Sequence, residues 1–219
     1  MRLQNNNVAL YFIGLAVWFL QFKIMKDSVI LKQGKVLIYP TDTIWGIGCS
    51  ALNVAAIERV KAIKGRDNTK SLIVLVKDIE MLGNYVQYIP QCAIDLINSA
   101  KEPTTVIYPK AKNLPVENLS FNESIGIRIP KNDYLQKLFE EIDFPIVSTS
   151  ANFSGKPSPR GFGDIDEEFL KKADYVSKYG RQEEDCDKNV SDSENVQYKK
   201  ASGSSIYLIE NDTQLKKIR

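Results

Sequence analysis

The chain has 219 residues, a formal net charge of +2 and no histidine. The missing imidazole excludes Ser-His-Asp and Cys-His catalysis and the commonest metal ligand, and so small a charge does not by itself require a nucleic-acid partner. Cys49, Cys92 and Cys186 lie far apart with no C-x-x-C pair, which fits reduced thiols in a cytoplasmic protein and neither a disulfide framework nor a zinc site.

In chain order, Val8 to Leu20 is an uncharged apolar run of 13 residues, short of the roughly 20 a spanning helix needs. Residues 1–24 are expected to be an upstream extension outside the fold, with a membrane anchor as the rival reading and no stable membrane partner expected. A domain over 25–219 would then begin with a short helix capped by Asp27 or Ser28 and stopped before Gly34. Val36 to Tyr39 reads as a strand. Tyr39-Pro40-Thr41-Asp42-Thr43-Ile44-Trp45-Gly46-Ile47-Gly48 follows it and mixes hydroxyls, a carboxylate and two glycines that let backbone N–H groups approach a ligand. The same residues also suit a plain hairpin or a strand-to-helix turn, with Trp45 in the core. Neither a Walker loop nor a G-x-G-x-x-G fingerprint occurs.

Val54 to Lys64 predicts a helix, capped by Asn53 and ended by Gly65. Lys64 and Arg66 flank that glycine. They can serve as cations favoured at a helix C-terminus or as a two-cation clamp on a polyphosphate. Leu72 to Val76 reads as a buried strand, Ile79 to Val86 and Gln91 to Ser99 as helices, and Thr105 to Tyr108 as a strand entered through Pro103-Thr104-Thr105. In the strand Ile125 to Ile129, Arg128 sits between two isoleucines and needs a partner. That partner is either a bound anion or an internal Asp or Glu. Asp133 to Ile142 predicts an amphipathic helix, and Pro145 to Val147 the start of a buried strand.

Ser148-Thr149-Ser150-Ala151-Asn152-Phe153-Ser154-Gly155 ends that strand in hydroxyls and an amide. Each must be hydrogen-bonded or stay wet. They suit either a polar, phosphate-bearing ligand or local turn capping. Asp166 to Ala173 predicts a helix and Tyr175-Val176 a short strand. Residues 180–200 form an expected mobile acidic loop, with six acidic residues and one lysine from Glu183 to Glu194. Gly203-Ser204-Ser205 precedes a last strand, Ser205 to Ile209. The mixed βα order predicts a single α/β (α+β) domain with a twisted mixed sheet.

YPTDTIWGIG, KGRD..KSL, PTT, GIRIP, STSANFSG and SSI, in that order over residues 26 to 209, resemble the YrdC-like family of L-threonylcarbamoyladenylate synthases. The resemblance implies a YrdC/RibB-like sheet lining a concave basic cavity. It implies a reaction that joins L-threonine, bicarbonate (or CO₂) and ATP into threonylcarbamoyl-AMP and pyrophosphate. The product would serve adenosine 37 of tRNA through a separate transferase. By the same resemblance Lys64 and Arg66 are the catalytic pair on the ATP phosphates, with Mg²⁺ as cofactor. Ser148, Asn152 and Ser205 would bind nucleotide, while Thr41, Thr105, Arg128 and Ser150 would bind threonine. No residue is assigned as a protein metal ligand.

Three departures qualify the match. Glu102 stands where the family carries glycine, Ser71-Leu72 where it often shows Pro-Leu, and the family histidine just past Lys-x-Arg is missing. They keep two alternatives open. One is a YciO-type relative binding or hydrolysing an acyl-adenylate, and the other is a double-stranded RNA or tRNA binding module.

Overall fold

The computed structural model describes residues 24–65, 72–120, 122–181 and 203–219. The expectations for residues 1–23, for Arg66 and for most of the acidic loop fall outside these. Nine described strands form one sheet: β1 (Leu37–Tyr39), β2 (Gly46–Ser50), β3 (Ile73–Leu75), β4 (Thr104–Tyr108), β5 (Ile125–Arg128), β6 (Ile146–Ser150), β7 (Tyr175–Val176), β8 (Ser205–Asn211) and β9 (Gln214–Lys217). Their order is β7-β1-β2-β6-β3-β5-β4-β8-β9. The β1–β7, β3–β5 and β4–β8 pairs are parallel and the rest antiparallel, so the sheet is mixed as expected.

The helices are α1 (24–32), α2 (Val54–Lys64), α3 (Ile79–Gly83), α4 (Gln91–Ser99), α5 (Asp133–Glu140) and α6 (Glu167–Leu170). Helix α2 has the predicted ends. The Asn53 side chain accepts from the Ala56 N–H, and Gly65 adopts φ 59° while its N–H returns to the Ala62 carbonyl. The predicted caps of α1 are not caps. Helix is present from residue 24, so Asp27 and Ser28 lie inside it. The Ser28 hydroxyl bonds back to the Met25 carbonyl, and the Asp27 carboxylate is buried against Tyr134 and Ser177.

Side-chain alternation along the strands makes two cores. Ile38, Ile47, Val74, Val106, Ile127 and Val147 face one way and pack with α2. Leu37, Tyr39, Leu75 and Ile146 face the other way and meet α1 and α5 through Ile24, Leu31, Leu135 and Leu138. By the same alternation Thr105, Arg128 and Ser148 lie on the second face. Helices α1 and α5 cover only part of that face, and the uncovered part becomes a cavity.

Candidate functional site

A cavity of about 540 Å³ opens on the sheet, bounded by the β1–β2 turn, β6, β5, β4 and the chain around β8 and β9. Its volume is in the range of small-molecule sites, roughly 300–1,000 Å³. Its wall is rich in hydroxyls: Thr41, Thr43, Thr105, Ser148, Ser150 and Ser204 all line it.

The β1–β2 connection is a hairpin, so one alternative read from the sequence is present, with Trp45 fully buried against Phe162. The turn nevertheless faces the cavity. The Thr41 hydroxyl contacts the Ile44 carbonyl at 2.7 Å and the Thr43 hydroxyl at 2.9 Å, and accepts from the Thr43 and Ile44 N–H groups. These local bonds hold both threonines at the rim of the sheet. Sequence reading missed that Gly46–Ser50 is itself a strand.

On β6 the strand runs through Ser150, beyond the expected Val147. Lys64 reaches its end. The Lys64 ammonium donates to the Ser150 carbonyl at 2.6 Å, the Ser150 hydroxyl at 3.1 Å and the Asn152 side-chain oxygen at 3.2 Å. Lys64 is 4% exposed, so α2 delivers a buried cation to the hydroxyl-rich segment. The Asn152 amide group donates to the Phe153 and Lys156 carbonyls. The segment thus does cap its own turn. It also presents Ser148 and Ser150 to the cavity.

Arg128 lines the cavity from β5 at 5% exposure. Its partner is internal: Asp42 Oδ1 lies 3.3 Å from Nη2, and Nη1 donates to the Thr43 hydroxyl at 3.3 Å. Tyr39 is wholly buried below. Burial pushes its hydroxyl far up, against the opposing pull of Ser148 and Arg128, so it stays protonated. The Cys49 thiol on β2 is pushed up to about 12 by burial and is inert at neutral pH.

Across the cavity Thr105 and Ser204 share a hydrogen bond of 2.8 Å. Ser204 faces inward, while Ser205 is not among the lining residues. Strand alternation accounts for the difference. Sequence reading also missed Arg219. Its guanidinium donates to the Ser204 carbonyl at 2.9 and 3.0 Å and lines the cavity. A lone arginine after an unrecognised strand, β9, carries no sequence signal. Glu102 has no positive φ, so the chain does not need the family glycine at that turn.

Among the described residues no Asp or Glu side chain lines the cavity. Among the described residues no cluster of three or more Cys, Asp or Glu could hold a metal, nor is any helix long and apolar enough to cross a membrane.

Comparison with known proteins gives the family. The family model Sua5_yciO_yrdC, described as "Telomere recombination", matches residues 29–200. The chain belongs to the Sua5/YciO/YrdC family. A putative threonylcarbamoyl-AMP synthase of Methanocaldococcus jannaschii is 37% identical over 152 residues, covering 69% of this chain and 70% of the relative. The threonylcarbamoyl-AMP synthase of Pseudomonas aeruginosa PAO1 is 30% identical over 71% of this chain and 84% of its own length. Pyrococcus abyssi Sua5, crystallised with L-threonine, superposes with a TM-score of 0.75 at 26% identity, over 87% of this chain and 52% of that one. This chain therefore spans about half of that longer relative. E. coli YciO shares the fold with a TM-score of 0.73 at 23% identity, over 91% of this chain and 89% of its own.

Proposed function

We propose that this protein is an L-threonylcarbamoyladenylate synthase. It would join L-threonine, bicarbonate (or CO₂) and ATP into threonylcarbamoyl-AMP and release pyrophosphate. The observation that carries the reading is the buried Lys64 clasped to Ser150 and Asn152 at the edge of a hydroxyl-lined cavity that also holds Arg128. Relatives at 30–37% identity bear that name, and the threonine complex of P. abyssi Sua5 has the same fold.

The chemistry asks for placement more than for proton transfer. Bicarbonate takes up a proton and releases water to supply CO₂. The neutral threonine amine adds to that carbon as a C=O π bond opens, and an N–H proton passes to solvent, leaving a carbamate. A carbamate oxygen then attacks the α-phosphorus of ATP, and the bond to the β-phosphate oxygen breaks with pyrophosphate as leaving group. Charge develops on phosphoryl oxygens, and fixed donors and cations stabilise it. Lys64, with Arg66 beside it in sequence, would hold the phosphates. Ser148, Asn152 and Ser204 would bind the nucleotide, with Ser204 in the place first expected of Ser205. Thr41, Thr105, Ser150 and Arg128 would orient threonine, with Arg128 on its carboxylate. Mg²⁺ would enter on the ATP phosphates and neutralise part of their charge. The described wall, rich in hydroxyls and without an Asp or Glu side chain among the described residues, fits a metal carried by the nucleotide. The product would pass to a tRNA threonylcarbamoyl transferase, with tRNA as the final acceptor.

The test follows pyrophosphate with ATP, Mg²⁺, threonine and bicarbonate. Release should require threonine and fall about 10²–10³-fold in Lys64→Ala. Threonine-independent release overturns the reading. So does binding of threonylcarbamoyl-AMP without its synthesis, or RNA binding that weakens steeply with salt in a protein releasing no pyrophosphate.

A further inference from the structure

We infer that Asp42 is a positioning residue that aims Arg128 at the amino-acid substrate. Resting on the synthase reading, the inference adds a residue that does not itself line the cavity. Asp42 lies between Thr41 and Thr43 on the β1–β2 turn, and its side chain is 9% exposed. Its Oδ1 is 3.3 Å from Arg128 Nη2, yet neither carboxylate oxygen accepts a well-formed hydrogen bond among the described residues. The attraction is one of charge at low dielectric, where an ion pair is strong and weakly screened.

Thr43 supplies the second hold, accepting from Arg128 Nη1 at 3.3 Å. Two adjacent turn residues thereby grip one end of the guanidinium. Arg128 Nε, by contrast, is buried with no hydrogen-bond partner among the described residues. A buried donor on a charged group that the protein leaves unpaired is where a ligand acceptor gains most. A carboxylate meets a guanidinium edge through two parallel hydrogen bonds, and that geometry is lost if the side chain swings. Asp42 also offsets the Arg128 charge while the cavity is empty, which lets a cation remain buried in a strand between two isoleucines. A turn carboxylate placed only to tighten the hairpin would bond to turn N–H groups. Here Thr41 takes that role and Asp42 does not.

The experiment uses the full chain. Asp42→Asn keeps the volume and removes the charge. Its KM for threonine should rise roughly tenfold, while KM for ATP stays within about twofold. In an Arg128→Gln background the same change should add nothing, because Asp42 acts through Arg128. Equal losses for both substrates, or the same rise in both backgrounds, overturn the inference. Should Asp42→Asn alone fail to fold, Asp42→Asn/Arg128→Gln removes both charges and is compared with Arg128→Gln. Equal threonine KM supports the inference and a further rise overturns it. A substrate-free readout separates this from the synthase reading: ¹⁵N NMR of the Arg128 guanidinium in the native protein. Hindered rotation that is lost in Asp42→Asn supports positioning even where no pyrophosphate forms. An unchanged Arg128 signal overturns it even in an active synthase.

Discussion

Arg219 reaches the cavity from beyond β9 and lays its guanidinium on the Ser204 carbonyl. A Cβ on Gly203 would stand 2.9 Å from Arg219 Nη2, so a side chain at Gly203 would push the guanidinium aside. The charge faces the same space as Lys64's partner Ser150, which suits a polyphosphate better than a small zwitterion. Arg219→Ala should raise KM for ATP about tenfold or more, since a charge-assisted hydrogen bond contributes roughly 1.5–3 kcal/mol. KM for threonine should move much less. Steady-state titration of each substrate against pyrophosphate release decides this, and equal shifts would remove the nucleotide assignment. Lys64 was legible because a helix stop and a glycine marked it. Arg219 was not, because nothing local distinguishes it from any terminal cation.

At the scale of elements, β2 shows how a motif and a strand can be the same residues. Gly46-Ile47-Gly48-Cys49-Ser50 has few of the large β-branched side chains that usually mark a strand, so in the sequence its glycines suggest ligand approach. The structure gives Gly48 a different reason. A Cβ there would stand 1.9 Å from the Val147 carbonyl oxygen and 2.8 Å from the Tyr39 hydroxyl. The close approach holds β2 against β6, the strand that carries Ser148 and Ser150. Gly48→Ala should therefore cost about 1–3 kcal/mol or more as overpacking, and should shift β6 enough to weaken both substrates together. Chemical denaturation with paired KM values tests it; a variant of native stability and unchanged kinetics would refute the strand-spacing argument. Elsewhere the signals are local and match the structure. Asn53 and Gly65 bound α2, and Gln91–Ser99 is helical as read. The Arg128 partner needed tertiary structure, because Asp42 lies 86 residues earlier and no periodicity links a turn to a strand. The order of the motifs carried the site better than any single one, since each hydroxyl pair alone also suits a turn.

Across the whole molecule, one buried carboxylate ties the covered half of the second sheet face together. Asp27 on α1 accepts from the Tyr134 hydroxyl of α5 at 2.7 Å and from the Ser177 hydroxyl, just past β7, at 2.6 Å. Tyr134 stacks on Tyr179, and the Arg181 guanidinium donates to the Val176 and Ser177 carbonyls. Burial raises the Asp27 carboxyl above its ordinary 3.8, and the Ser177 and Tyr134 hydrogen bonds only partly oppose it. The folded state thus holds the Asp27 proton more tightly than the unfolded chain does. Its contribution to stability is fully present below pH 3.8 and is lost as pH rises through the raised folded value. Asp27→Asn keeps an oxygen to accept both hydroxyls and does not titrate. Relative to the native chain, this variant should gain stability as pH is raised from about 4 towards neutrality. Asp27→Ala should be less stable than Asp27→Asn throughout, because two buried hydroxyls lose their acceptor at about 1–3 kcal/mol each. Thermal unfolding of the three proteins from pH 4 to 8 measures this. A native-minus-Asn difference that stays flat or grows with pH would show that Asp27 folds as an ordinary carboxylate, held ionised by Arg181 and its neighbours rather than protonated by burial.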